Sequence, residues 1–347
     1  MKIKERIISE KLTLLDVLKL MDTTGFRSLL VLDELNKFKG IISIGDIQRA
    51  LIKDNKLGII VDNILRSNPR IANINTPFPE IKEAMIKYRM EFIPVINNNN
   101  EIDTVYFWED LFDLNTIMPI EQFNIPVVIM AGGFGNRLKP LTNVLPKPLI
   151  PIGVKTILEN IFERFSKHGC NSFYISVNYK AELIEYYIQN QKLPFNIHFF
   201  KEEKPMGTAG SLYLLKGKIN QTFFVSNCDI LIEQDYSEIL DYHKSNNNEI
   251  TLVAAFKHFP IPYGTIETGD NGKLLKLIEK PELTFKINSG MYILEPHLLN
   301  EIPENQFFHI TDLIENILKR KGNIGVFPIS EKSWKDIGNW DEYIRFI

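Results

Sequence analysis

Pro126-Val127-Val128-Ile129-Met130-Ala131-Gly132-Gly133-Phe134-Gly135-Asn136-Arg137-Leu138 decides how this chain is to be read. The apolar half does not alternate with polar residues, which marks a strand buried on both faces of a sheet. Glycines follow it at once. There they let backbone N–H groups approach phosphate oxygens, and Arg137 and the Lys147 of Pro146-Lys147-Pro148-Leu149 add positive charge. The loop is not a dinucleotide fingerprint, because Leu138 stands where a third glycine belongs. Nor is it a Walker A loop, since no Gly-Lys-Ser/Thr ends it.

Reading onward, Thr156 to His168 carries Ile157, Ile161 and Phe165 at helical spacing and stops at Gly169. Strand 172–177, helix 181–189, strand 195–200, helix 208–216 and strand 222–226 follow. Strands alternating with helices predict a mainly parallel sheet with helices on both faces, with ligands beyond the carboxyl ends of its strands. Ser226-Asn227-Cys228-Asp229 closes one such strand, so Asp229 is placed to hold Mg²⁺ against a triphosphate. Cys228 reads as a small buried filler, with no cationic or histidine neighbour to activate its thiol. Lys204-Pro205-Met206-Gly207-Thr208-Ala209-Gly210 opens a helix with Thr208 as its N-cap. Tyr263-Gly264, Glu279-Lys280-Pro281 and Asn288-Ser289-Gly290 each flank a strand-like run, and Trp334-Lys335-Asp336-Ile337-Gly338 supplies a second carboxylate.

Upstream, the first half of the chain matches itself at an ungapped offset of 64 residues. Leu29-Leu30-Val31-Leu32 falls on Ile93-Pro94-Val95-Ile96, and Gly40 through Asp46 falls on Thr104 through Asp110. Each copy reads as helix, strand, Asp/Asn-rich turn, strand and helix, and each is too small for a core of its own, so the two should bury their sheets against one another. Domains are expected over residues 1–60 and 61–118, a linker over 119–125, and the α/β domain over 126–347.

The 347 residues carry 40 Lys+Arg against 43 Asp+Glu, a net charge of −3, which removes the electrostatic footprint of a dedicated nucleic-acid binder. No apolar run reaches the roughly 18 residues needed to span a bilayer. Two cysteines, Cys170 and Cys228, cannot staple a framework, and the six histidines show no zinc-site spacing. The chain reads as a soluble cytoplasmic protein with no membrane partner.

The string Gly132-Gly133-x-Gly135-x-Arg137-Leu138 with Pro146-Lys147-Pro148 resembles the signature of sugar-1-phosphate nucleotidyltransferases, and the later blocks follow in that family's order. The resemblance implies a Rossmann-like, mainly parallel α/β domain that joins an NTP to a sugar 1-phosphate with Mg²⁺ as cofactor. It implies nucleotide contacts from Ala131, Gly132, Gly133, Gly135, Asn136, Arg137, Lys147, Gly207, Thr208 and Ala209, and sugar-phosphate contacts from Tyr263, Gly264, Glu279, Lys280 and Asn288. Catalysis would rest on Arg137, Lys147, Asp229, Lys280 and Asp336, with Asp229 and Asp336 sharing the metal. Asn136 replaces a usual Thr or Ser, and Cys228 a usual glycine.

The repeat is similar to a tandem pair of CBS domains, an α+β unit that would bind an adenosine nucleotide through Ser43 and Asp46, or only assemble a homodimer. Phe107 removes the matching hydroxyl from the second copy. The Gly-Thr-Ala-Gly loop, the Asn-Cys-Asp block and the N-terminal pair together resemble the glucosamine-1-phosphate guanylyltransferases of legionaminic-acid pathways. GTP and glucosamine 1-phosphate are therefore the expected substrates; mannose, heptose and glucose phosphates, and CTP or UTP, stay open. Two rivals are an adenosine-nucleotide sensor with an inactive transferase domain and a guanylyl transfer to a pterin cofactor.

Overall fold

The computed structural model describes residues 3–112 and 119–345; residues 115–118, at the edge of the expected linker, lie outside these. The chain forms two compact units, Met1–Ile120 and Glu121–Ile347.

The first unit repeats itself in space as in sequence. One copy runs β1 (Ile7–Ser9), α1 (Leu14–Thr24), β2 (Ser28–Leu32), β3 (Phe38–Ser43) and α2 (Ile44–Asp54). The other runs β4 (Ala72–Asn73), α3 (Phe78–Lys87), β5 (Phe92–Ile96), β6 (Ile102–Phe107) and α4 (Trp108–Leu111). The central hairpins, β2–β3 and β5–β6, sit 64 residues apart with identical pairing, down to the irregularity at Val31/Leu32 and Val95/Ile96. Each sheet is a three-stranded piece that cannot bury its face alone. Leu30 and Phe38 of the first copy therefore join Phe92, Ile96, Val105 and Phe107 of the second in one core. Arg6 seals the seam. It pairs with Glu91 at 2.8 Å and lays its guanidinium 3.9 Å from the centre of the Phe26 ring.

The second unit is built on a seven-stranded sheet. Its strands are β7 (Val127–Met130), β10 (Ser172–Val177), β11 (Asn196–Lys201), β12 (Phe223–Asn227), β14 (Ile250–Pro260), β17 (Glu282–Leu294) and β18 (Ile324–Ile329). They lie in the order β11-β10-β7-β12-β17-β14-β18, and only β17 is antiparallel to its neighbours. The chain winds outward from β7 through β10 to β11, then returns to lay β12 on the other side of β7. The crevice beyond the carboxyl ends of β7 and β12 is therefore the switch point where such sheets take ligands. Val127, Val128 and Ile129 are fully buried, as an unalternating strand requires.

Helices α5 (Ile157–Ser166), α6 (Ala181–Asn190), α7 (Tyr236–Ser245) and α8 (Ile310–Lys319) accompany the sheet, with α9 (Trp340–Ile344) at the end. Thr156 starts α5 through a capping box with Glu159. Phe162 packs on Phe173, and Phe165, Phe224 and Tyr236 pack on one another, in two buried aromatic groups. Short ladders complete the unit: β8 (Pro151–Ile152) with β9 (Lys155–Thr156), β13 (Ile230–Ile232) with β19 (Trp334–Asp336), and β15 (Thr265–Thr268) with β16 (Leu274–Ile278). Among the described residues no helix is long and apolar enough to cross a membrane.

One expected element differs. Residues 208–216 form a 3₁₀ stretch, Gly210–Leu215, with no side-chain cap. Thr208 is drawn away: its hydroxyl accepts from Ile310 N at 3.0 Å, at the start of α8, and the N–H groups of Ala209 and Gly210 donate to Phe308 O. A helix beginning at Thr208 loses its cap to a partner a hundred residues on.

Phe107→Ala should cost the first unit about 3–5 kcal/mol, the usual cost of truncating a buried aromatic. Urea unfolding followed by tryptophan fluorescence checks this, and a wild-type transition would mean that the two copies do not share a core.

Candidate functional site

Asp229 lies two residues past the end of β12 and is 8% exposed, as is Lys147. The two form a short, buried ion pair through Lys147 Nζ and Asp229 Oδ2. Arg137 reaches the same cluster from the glycine loop, with Nη2 3.7 Å from Asp229 Oδ2 and Nη1 4.0 Å from Asp336 Oδ2. Asp336 arrives on β19, whose antiparallel ladder with β13 sets it opposite Ile230. Ile337 N then donates to Asp229 O at 2.9 Å, so backbone pairing alone brings the two acids side by side.

Gly338 makes the convergence tight. Its N–H donates to Asp336 Oδ1 at 2.7 Å. A Cβ there would stand 2.5 Å from that oxygen, 2.6 Å from Arg137 Nη2 and 2.9 Å from Asp229 Oδ2. Burial, and then the charge of Asp229, push the Asp336 carboxyl above its usual range. Two hard oxygen donors facing one small gap suit Mg²⁺, which takes one or two carboxylates and fills its shell with phosphate and water. Asp229 and Asp336 would hold it.

The glycine loop is fixed from outside itself. Ala131 N donates to Ser176 O, and Thr142 Oγ1 donates to Gly135 O at 3.0 Å. Lys180 Nζ donates to Asn143 O and Val144 O, and Trp340 Nε1 to Lys139 O. Leu138 is fully buried, which explains why no third glycine stands there. Gly133, Asn136 and Arg137 remain exposed.

Across the crevice, Gly207 has φ +81° and lies where a Cβ would meet Phe308 O at 2.6 Å, so only glycine fits. Between the two loops lies Glu202, a residue the sequence reading did not single out. It is 5% exposed, accepts a short hydrogen bond from Ser176 Oγ and another from Met206 N at 3.3 Å, and sits 2.8 Å from a Cβ placed on Gly132. Among the described residues no cation pairs with it. The available signal was its position: like Asp229, it is the acid just past a strand's carboxyl end.

The sugar-phosphate candidates lie along β14–β17. Glu279 Oε2 is 2.9 Å from a Cβ placed on Gly264, so these two face one another. Tyr263 is exposed, and Lys280 is exposed with φ +45°. Asn288 Oδ1 accepts from Gly290 N at 3.1 Å, and Trp334 Nε1 donates to Ser289 O at 3.0 Å, tying this end to β19. Lys280 forms no ion pair with Asp229 or Asp336. The structure thus brings Arg137, Lys147, Asp229 and Asp336 together and leaves Lys280 outside that cluster.

Residues 126–347 match the family described as nucleotidyl transferase. The chain belongs to that family. Residues 3–53 match the CBS domain family. A mannose-1-phosphate guanylyltransferase catalytic subunit beta from Dictyostelium discoideum is 36% identical over 182 residues, 50% of this chain and 51% of that protein. A mannose-1-phosphate guanylyltransferase from Mycobacterium tuberculosis is 28% identical over 226 residues, 64% of this chain and 63% of its own length. The chain spans about half to three-fifths of the length of these curated relatives. Crystal structures of HddC from Yersinia pseudotuberculosis align with TM-score 0.50 over 64% of this chain and 97% of theirs, at 26% identity and, for its complex with GMP-PN, 27%.

Two features of this nucleotidyl transferase family member lie outside the crevice chemistry. Burial pushes the Cys228 thiol up to about 12, so it is a filler. In the first unit, Ser43 and Asp46 form the capping box of α2, and Asp46 Oδ1 takes Arg49 and Arg66 at 2.7 Å each. Burial opposes its charge, yet those hydrogen bonds outweigh it and hold Asp46 below the usual range.

A raised Asp336 means that its charge costs the fold stability at neutral pH, a cost absent below the usual carboxylate range where the group is protonated, folded or not. Asp336→Asn should therefore raise the Tm of the metal-free chain at pH 7, with the gain vanishing as the pH falls below 3.8, the ordinary value. Equal melting curves at both ends of that range would refute the account. Gly338→Ala should wedge the cluster apart and weaken Mg²⁺ binding, read by calorimetry.

Proposed function

We propose that the chain transfers GMP from GTP to a sugar 1-phosphate, releasing pyrophosphate. The observation that carries this is the charge-balanced cluster of Lys147, Arg137, Asp229 and Asp336 at the switch-point crevice, beside a glycine loop with exposed backbone. A phosphate oxygen of the sugar 1-phosphate attacks the α-phosphorus, and the bond to the bridging oxygen of the β-phosphate breaks. The nucleophile is already an anion, so no general base or covalent intermediate is needed. Work remains in bringing two polyanions into line and neutralising the charge that develops on the α-phosphate and leaving group. Lys147 and Arg137 do this from the nucleotide side once phosphate replaces carboxylate as their partner. Mg²⁺ on Asp229 and Asp336 would supply the remaining charge. Tyr263, Gly264, Glu279, Lys280 and Asn288 would receive the sugar phosphate, with Lys280 on its phosphate.

Guanine follows from Glu202. Its Watson–Crick edge offers two adjacent donors, N1–H and the 2-amino group, and an ionised carboxylate accepts from both. The guanylyltransferase names of the relatives and the GMP-PN bound to HddC agree with that choice. Glucosamine 1-phosphate is the leading sugar, with mannose 1-phosphate next. The adenosine nucleotide expected at Ser43 and Asp46 would have to share Asp46 with Arg49 and Arg66.

Pyrophosphate release from five NTPs against a panel of sugar 1-phosphates tests this, with GTP expected to give the highest kcat/KM. Glu202→Gln should lower kcat/KM for GTP about tenfold to a hundredfold, the worth of a charged hydrogen bond, while other NTPs change little. Asp229→Asn should cost about a hundredfold or more in kcat. Lys147→Ala should impair use of the NTP, and Lys280→Ala should mainly raise the KM for sugar 1-phosphate. A uniform defect across these variants would refute the division of roles.

A further inference from the structure

Ser176 and Ser211 are fully buried, yet neither has a part in the chemistry proposed above. Ser176 stands near the end of β10, and Ser211 lies in the 3₁₀ stretch Gly210–Leu215 that follows the loop across the crevice. Their chain neighbours Ile175, Val177 and Leu212 are fully buried too. A hydroxyl in such surroundings costs stability unless it is hydrogen-bonded.

The partner is Glu202. Ser176 Oγ donates a short hydrogen bond to Glu202 Oε1, and Ser211 Oγ lies 3.2 Å from Ser176 Oγ. A serine has one proton to give. Ser176 gives its own to the carboxylate, so Ser211 must donate to Ser176. The chain of hydrogen bonds therefore runs from Ser211 through Ser176 to Glu202.

Glu202 is fixed elsewhere as well. Its N–H donates to Val177 O at 2.9 Å, its carbonyl accepts from Asn178 Nδ2 at 2.7 Å, and Oε2 accepts from Met206 N at 3.3 Å. An ionised carboxylate has about four lone-pair sites, shared by its two oxygens. Ser176 occupies one on Oε1 and Met206 N one on Oε2, so each oxygen keeps an acceptor site for a ligand. Two acceptors side by side match two donors side by side.

We propose that Ser176 and Ser211 are positioning residues for base selection, fixing Glu202 so that both its oxygens meet the N1–H and 2-amino groups of guanine. This deepens the proposed function and rests on its assignment of Glu202 to the base. Without the serines the carboxylate keeps only its long bond to Met206 N and turns about its broad terminal torsion. It then accepts one donor well, but not two in a fixed plane. The serines act on the difference between guanine and a purine lacking the 2-amino group, and not on the transfer itself. The main chain of Ser176 has a separate task, accepting from Ala131 N at 3.1 Å behind the glycine loop. Alanine at this position keeps that bond and removes only the hydroxyl.

The test compares GTP with inosine triphosphate, which keeps N1–H and lacks the 2-amino group, on the full chain. Calorimetry of each nucleotide with Mg²⁺ and no sugar reads base selection apart from turnover. The wild type should bind GTP about tenfold to a hundredfold more tightly, the worth of one hydrogen bond to a charged group. Ser176→Ala should cut that preference to within about threefold, and Ser211→Ala, one bond farther from the base, by a smaller factor. Neither should move the KM for sugar 1-phosphate, which a general loss of packing would raise. In a chain already carrying Glu202→Gln, Ser176→Ala should change the preference no further, as for residues acting through one contact.

A folded Ser176→Ala chain with the wild-type preference overturns the inference. So do effects of Ser176→Ala and Glu202→Gln that simply add. If Ser176→Ala does not fold, Ser211→Ala decides, and an unchanged preference there overturns the inference equally. If the wild type does not favour GTP, or favours it just as much after Glu202→Gln, the guanine reading of the proposed function fails and takes this inference with it. If the serines set the preference but no nucleotide is transferred, the inference stands and the proposed function fails.

Discussion

Asp336 is held where its own charge is disfavoured, and much of the second unit exists to keep it there. It lies half-buried beside Asp229, and its burial and then that neighbour push its carboxyl up. A folded chain relieves such a clash by moving the groups apart or by surrounding them with cations. Here the β13–β19 ladder and the hydrogen bond from Ile337 N to Asp229 O prevent separation. Lys147 and Arg137 supply the positive charge instead. The result is a formally neutral square of two acids and two bases. A polyanion and a cation entering together can replace each half of that square without leaving a buried charge unpaired.

The walls of the crevice obey the same economy. Loops that must offer backbone N–H groups outward cannot stabilise themselves by internal pairing, so other elements hold them from behind. Thr142 binds the Gly135 carbonyl of the glycine loop, Lys180 binds the Asn143 and Val144 carbonyls of the turn that follows it, and Phe308 O takes two N–H groups of the opposite loop. Thr208 gives its hydroxyl to the start of α8 and not to its own segment. Rigidity at the site is thus a tertiary property, drawn from α6, α8 and the C-terminal turn.

The first unit shows the opposite balance between local and distant information. Its offset of 64 residues survives from sequence into strand register, including the irregularity in each hairpin, because each copy is dictated by its own apolar pattern and turn. Phe107, where the first copy has Ser43, does not act on the surface at all; it fills the core shared by the two sheets. Asp46 satisfies the capping box and two arginines at once, so a residue that sequence alone offers as a ligand already has structural work.

The sequence by itself determined the α/β unit, its buried first strand, the glycine loop behind it, the internal repeat, and four of the charged groups in the crevice. These are local signals: periodicity, an apolar run without alternation, glycine and proline punctuation, and acids at strand ends. It did not determine which of the candidates meet. That Lys147 pairs with Asp229, that Arg137 reaches both acids, that Glu202 lies between the loops and that Lys280 stands apart all depend on strand order, and strand order is fixed by how the sheet buries its two faces.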